Sequence, residues 1–256
     1  MTTTRSSLAA LAGLLLVAAC SDGTSPEGNL SLSFATRLPG GAMAPSRSAA
    51  FGAAVTGADT LTDGTNTLVI TKAEIVLTKI ELEPVEVADC GVSPEPAGCQ
   101  EFEAGPVLVD LPLGPGATQE FAMAITPGSY KEVEFVIHKI SQDAPDEAAF
   151  RTAHPEFVEK SIRVQGTFNG QAFVFETDLD VEQEADFAQP MVVTADMASA
   201  NLTIRVGVAN WFKALNGTLV NPATGNKGGQ NESLIKENIK QSVEAFEDHD
   251  HDGDEG

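Results

Sequence analysis

Residues 67–87, TLVITKAEIVLTKIELEPVEV, constrain the fold more than any other stretch. In an extended strand successive side chains point to opposite faces, so apolar residues two apart define the buried face. Leu68 and Ile70 mark one face; Ala73, Ile75 and Leu77 fall on the other phase; Ile80 and Leu82 return to the first. A uniform strand cannot bury all three groups on one side. The two phase changes predict bulges or a tight corner in an otherwise continuous strand.

Shorter segments repeat this alternation. NLSLSFATR places Leu30, Leu32 and Phe34 on one face, and GPVLVDLP, TQEFAMAI, SYKEVEFVIHKI, KSIRVQGTF, QAFVFETDL, QPMVVTAD and NLTIRVGVANWF follow as further strands. PLGPGA from Pro112, PGS at 127–129 and NGQ at 169–171 supply turns between them. Asn169 and Gly170 suit the positive φ angles of a type I′ turn, which makes GTF-NG-QAFVF a hairpin. Many short strands with regular turns predict an all-β fold, an antiparallel β-sandwich. Two helices are expected beside it. PDEAAFRTA starts at Pro145 with acidic residues in its first turn. NESLIKENIKQSVEAFE is a C-terminal amphipathic helix, with Leu234 or Ile235, Ile239, Val243 and Phe246 on one face and Asn231 or Ser233 as its cap.

The chain opens MTTTRSSLAALAGLLLVAAC, with Arg5 ahead of an apolar run from Leu8 to Ala19 that is too short for a permanent membrane span, so it reads as a secretion signal. Its end, Val17-Ala18-Ala19-Cys20, resembles the lipobox of bacterial lipoproteins. That resemblance implies cleavage before Cys20, diacylation of its thiol and a stable membrane anchor, since one acyl chain alone holds a protein only marginally. The competing reading is a signal for soluble secretion that happens to contain a cysteine. Ser21, instead of aspartate, fits the outer membrane of a diderm. The expected organisation is a signal peptide over 1–19, the lipidated cysteine and a polar spacer over 20–28, a β-sandwich domain over 29–230 and a C-terminal helix with acidic tail over 231–256. Within the domain, residues 38–59 lack periodicity and read as a long mobile loop.

Three cysteines leave one over, and the lipobox uses it. Cys90 and Cys99 bracket the turn-like GVSPEPAG, so a disulfide clipping one loop is expected in an extracytoplasmic compartment. A zinc site is the competing idea, without a CxxC spacing or neighbouring histidine to support it. Fifteen Lys and Arg stand against 37 Asp and Glu. Without Arg5 the net charge is −23, which repels nucleic acid and anionic lipid and suits divalent cations or plain solubility.

In GPVLVDLPLGPGATQEFAMAITPGSYKEVEFVIHKI, the residues Val109, Asp110 and Leu111, then Pro127, Gly128, Tyr130 and Val133, resemble a domain-of-unknown-function family of bacterial surface lipoproteins. Its members are grouped with carbohydrate-binding-like and prealbumin-like β-sandwiches. The second half, through LTIRVGVANWF and NPATGN to the terminal helix, is similar to a related group of such lipoproteins with an acidic DxDxDG end. The resemblance implies the sandwich and, by fold analogy alone, a glycan or protein ligand.

No catalytic motif stands out. The histidines are His138, His154, His249 and His251, and GxSxG, HExxH and Walker patterns are all missing. Carboxylate pairs cannot be told from solvated surface in so acidic a chain. The expected role is therefore non-catalytic, with an enzyme on carbohydrate or peptide as the minority reading. Sugar stacking needs aromatic faces, and the chain has one Trp and one Tyr. Trp211 and Phe212, at the end of a strand, read mainly as core packed against the terminal helix.

The tail poses the one sharp ligand question. Asp248, Asp250, Asp252, Gly253 and Asp254 reproduce the order of an EF-hand-type calcium loop, entered from a helix that ends at Phe246 and Glu247. The bidentate glutamate of position 12 is missing, because the sequence ends at Gly256. His249 and His251 could instead recruit zinc or nickel. The alternative is a frayed polyacidic terminus.

Overall fold

A computed structural model describes residues 28–36, 57–85, 101–113, 118–194 and 200–247. Cys20, Cys90, Cys99, the acidic tail with Asp248, Asp250, Asp252 and Asp254, and most of the 38–59 loop lie outside the described residues. Twelve strands are described: β1 (Gly28–Thr36), β2 (Asp59–Thr62), β3 (Thr67–Pro84), β4 (Phe102–Ala104), β5 (Val107–Asp110), β6 (Thr118–Ile125), β7 (Gly128–Ile137), β8 (Ile162–Phe168), β9 (Gln171–Thr177), β10 (Val181–Val193), β11 (Ala200–Val206) and β12 (Val243–Glu247). Three short helices accompany them: α1 (Ala148–Ala153), α2 (Val208–Trp211) and α3 (Glu232–Lys240). The fold is all-β and mostly antiparallel.

β3 is the spine of the larger, eight-stranded sheet. One flank pairs with β8 over its first half and β7 over its second; the other flank carries β2, β5 and β4 in turn. β9 extends the sheet beyond β8 and β10 beyond β7. The register slips between Ile70 and Lys72 against β8, and between Leu77 and Lys79 against β7. These are the two places where the apolar alternation changes phase. Each bulge inserts one residue and turns the next apolar set back to the same side. Leu68, Ile70, Ala73, Ile75, Leu77, Ile80 and Leu82 are consequently all buried in one cluster.

The second sheet has the order β12-β11-β1-β6. Here the antiparallel expectation needs a correction, because β1 and β11 run parallel, with Leu30 opposite Ala200 and Thr36 opposite Val206. Strands as far apart in the chain as Thr36 and Ala200 are free of the hairpin constraint that forces neighbours to run antiparallel. Leu202, Ile204 and Val206 of this sheet share the core with β3, β7, β8 and β9 of the larger one.

The Asn169-Gly170 turn is as expected, with φ of 51° and 77° and Phe168 paired to Gln171. Asn169 also ties this hairpin to the β2–β3 turn: its Oδ1 accepts from Thr67 N at 2.8 Å and its Nδ2 donates to Asn66 Oδ1 at 2.9 Å. In that turn Asp63 accepts from the backbone amides of Thr65, Asn66 and Leu219 and from the Asn66 side chain. The four donors, Asn66 foremost, hold its carboxyl well below the usual range. Tyr130 is buried and its hydroxyl donates to Thr126 O at 2.6 Å, closing the β6–β7 corner.

Three boundaries differ from expectation. α1 begins at Ala148 rather than Pro145, whose carbonyl accepts from Ala148 N. Trp211 and Phe212 follow β11 on the short α2 and its cap instead of ending a strand. The terminal helix stops at Lys240, and Val243–Glu247 forms β12 along β11. Ser242 makes the break: its Oγ donates to Ile239 O at 2.7 Å and accepts from Trp211 Nε1 at 2.6 Å, while its carbonyl accepts from Gly207 N. α3 still buries Ile235 and Ile239, as its amphipathic stripe requires.

Candidate functional site

The outer face of the larger sheet collects carboxylates. Inward-facing Ile80, Leu82, Val133 and Phe135 leave the alternate positions of β3 and β7 pointing away from the core. Glu81 stands opposite Glu134, and Glu83 opposite Glu132. β10 continues both rows, with Glu184 opposite Glu134 and Asp186 opposite Glu132, and β4 adds Glu103 opposite Glu81. One row thus runs Glu103, Glu81, Glu134, Glu184 across four strands, and the next runs Glu83, Glu132, Asp186. Glu182 lies alongside on β10.

Like charges directly opposite one another destabilise a sheet by some tenths of a kcal/mol per pair, up to about 1. Two lysines offset part of this. Lys79 Nζ contacts Glu81 and stands 3.3 Å from Glu134, and Lys131 Nζ lies 2.8 Å from Glu83. Lys79 is held protonated well above its ordinary range, by its hydrogen bond to Glu81 foremost. For Glu132 the balance goes the other way: desolvation, then the charges of Glu83, Glu184 and Asp186, raise its carboxyl above the ordinary value despite Lys131.

Glu134, Glu182 and Glu184 each offer an oxygen within 4.8 Å of the others. Calcium–oxygen bonds of about 2.4 Å allow two ligands of one ion to be at most about 4.8 Å apart, so these three oxygens fit a shared hard cation. Two exposed glutamates and a half-buried one, with Lys79 competing for Glu134, suit weak rather than tight binding.

The other residues singled out by sequence are placed differently. His138 Nδ1 is 3.0 Å from Asp180 Oδ1 on the surface, and His154 meets Phe150 in a tilted contact with ring centroids 4.8 Å apart. Trp211 and Phe212 are fully buried, and Phe212 meets Phe175 edge-on at 5.3 Å. They are core, as expected, and present no face to a sugar ring. The tail lies outside the described residues, but the approach to it is described: a strand, β12, leads into Asp248, not the helix an EF-hand-type loop requires. The junction that favoured a calcium loop there is therefore absent. Sequence reading passed over the carboxylate rows, because Glu81, Glu134 and Glu184 are neighbours only through strand register. The alternation of Glu182, Glu184 and Asp186 in VEQEAD was the available signal.

Comparison with family models, with curated proteins and with solved structures returns no match.

Proposed function

We propose that this chain is a non-catalytic β-sandwich module of a lipid-anchored extracytoplasmic protein, and that its carboxylate face associates weakly with hard divalent cations, calcium foremost. The sandwich reading draws support from the larger core cluster, to which both sheets contribute. The anchor reading draws support from Val17-Ala18-Ala19-Cys20, and kinship with the surface-lipoprotein family from Val109-Asp110-Leu111 and Pro127-Gly128-Tyr130. The observation that carries the cation reading is the cross-strand register of Glu134 with Glu184 and Glu132 with Asp186, which leaves like charges facing each other, offset among the described residues by Lys79 and Lys131.

Calcium bound only by the folded form raises stability by RT ln(1 + [L]/Kd), about 1.4 kcal/mol at tenfold excess over Kd. For a chain of this size that is about 3–6 °C in Tm. Titration to millimolar calcium, against sodium chloride at matched ionic strength, should show that extra rise in the parent and in an Asp250→Ala, Asp252→Ala tail variant. Glu182→Gln with Glu184→Gln should abolish it. A rise no larger than sodium produces would reject the cation reading and leave a structural envelope protein without a specific ligand. Cys20→Ser should release the protein from membranes; membrane association that persists in this variant contradicts the anchor.

A further inference from the structure

Glu74 sits on the outer face of β3 in the stretch between the two bulges, yet it is only 3 % exposed. Its Oε1 accepts from Lys72 Nζ at 2.5 Å. Its Oε2 is buried without a hydrogen-bond partner. Arg163 Nη1 stands 3.7 Å away, beyond hydrogen-bonding reach, because Arg163 turns its Nε to Glu176 Oε1 at 3.2 Å. An orphaned carboxylate oxygen in a closed site has lost its hydration with nothing in return, so a donor is called for.

The register names that donor. Arg163 faces Glu74 from β8 on one flank of β3, and Asp110 faces it from β5 on the other. Side chains directly opposite in an antiparallel pair have Cβ atoms about 5 Å apart, within reach of carboxyl-to-carboxyl contact. Two carboxylates are both acceptors and cannot bond until one takes a proton. Burial foremost raises the Asp110 carboxyl; Lys72 opposes the shift and the Glu74 charge adds to it. A metal ion is the poorer occupant, since Lys72 and Arg163 already bring two positive charges to Glu74.

We propose that Glu74 and Asp110 hold one proton between them, the Asp110 carboxyl donating it to Oε2 of Glu74 as a latch between β5 and β3. The proton comes from solvent and returns to it; no other bond is made or broken. Among the described residues the charged groups around the latch are Lys72 on β3, Arg163 on β8, and, behind Arg163, Glu176 on β9 with Lys160 at 2.8 Å from it. A carboxyl whose folded pKa lies above its unfolded value favours the folded state most at low pH, and this contribution is lost as pH rises through the folded pKa. The latch therefore tightens β5 onto β3 as pH falls through the raised Asp110 value and loosens as pH rises through it.

Carboxyl carbon-13 NMR titration of the full chain, labelled at Asp and Glu, tests this directly. The Asp110 midpoint should lie above that of an aspartate in a short peptide, and Glu74→Gln should bring it down by removing the charge that shares the proton. Asp110→Asn, whose amide donates at every pH, should melt higher than the parent at pH 8 and equal to it below the measured Asp110 midpoint. An Asp110 midpoint at the peptide value, a midpoint unmoved by Glu74→Gln, or no gain from Asp110→Asn at pH 8 would each overturn the proposal. If either variant fails to fold, the parent titration decides by itself.

Discussion

Gly166→Ala tests whether the first bulge of β3 is built around a missing side chain. Gly166 lies on β8 opposite Ile70, where the register slips before Lys72. A Cβ at this position would stand 1.9 Å from Val69 O, 3.0 Å from Val69 C and 3.1 Å from Ile70 Cα. All three are backbone atoms, so no side chain can swing aside. Ordinary contact begins at 3.4 Å, so the strands must part by about 1.5 Å. Two ladder hydrogen bonds lost at about 1 kcal/mol each, about 1–3 kcal/mol of overpacking, and a gain of about 0.4–1 kcal/mol from the stiffer unfolded chain give a net loss of about 2–5 kcal/mol. In thermal unfolding this is a fall of about 4–20 °C. Emission from Trp211, the single tryptophan and fully buried, provides the signal. Gly64→Ala is the control: φ is +87° but nothing lies within 4 Å, so only the left-handed backbone is penalised, by about 1–2 kcal/mol. A Gly166→Ala protein that melts no lower than the Gly64→Ala control would refute the steric reasoning.

Two further outcomes are expected. Lys236 and Lys227 hold Asp178 at a pKa of about 2, and Lys236 with the Gly228 amide lowers Glu232; both therefore contribute stability above the ordinary carboxylate range and lose it as pH falls through the lowered values. Glu132, raised by desolvation and like charge, acts oppositely, its repulsion being relieved as pH falls through the raised value, so Tm should pass through a maximum on the mildly acidic side; a steady decline downward from neutral pH would contradict the assignment. Asn226 donates through Nδ2 to Val174 O at 3.1 Å and accepts at Oδ1 from Glu176 N at 2.8 Å, covering the outer edge of β9. Asn226→Ala should cost about 1–2 kcal/mol and promote edge-to-edge association seen by light scattering; a monomer of unchanged Tm would count against that role.

What sequence could reveal here follows from the range of the interactions. The bulges of β3, the Asn169-Gly170 turn and the buried face of α3 are set by residues close in the chain, and local periodicity or turn chemistry exposes them. β12 escaped because Val243 and Phe246 continue the helical spacing of Ile235 and Ile239, while the force that pulls Val243–Glu247 into a strand is its pairing with β11, some forty residues upstream. β10 was seen only at its apolar end, since Glu182, Glu184 and Asp186 carry charge on one face while on the other Ala185 and Phe187 follow the buried Val181 but pack only partly. Pro190 is tolerated at the register shift of this strand, which among the described strands pairs with β7 alone. The carboxylate rows and the Glu74–Asp110 pair were invisible for the same reason as β12, being products of register between distant strands.

The parallel pairing of β1 with β11 has a consequence for the order of assembly. Leu30 waits for Ala200, 170 residues later; until then, among the described strands, β1 can be paired along its β6 edge, where Gly28 meets Ile125, while its β11 edge stays open. If the polypeptide crosses a membrane from its amino end, the first strand to emerge is among the last to be completed. Such distant closure slows folding, and it leaves an open ribbon edge for chaperones or for a neighbouring copy to occupy in the meantime. The interval between synthesis of β1 and arrival of β11 is thus where this molecule is most exposed to mispairing, and shortening the chain between them by circular permutation should quicken its maturation.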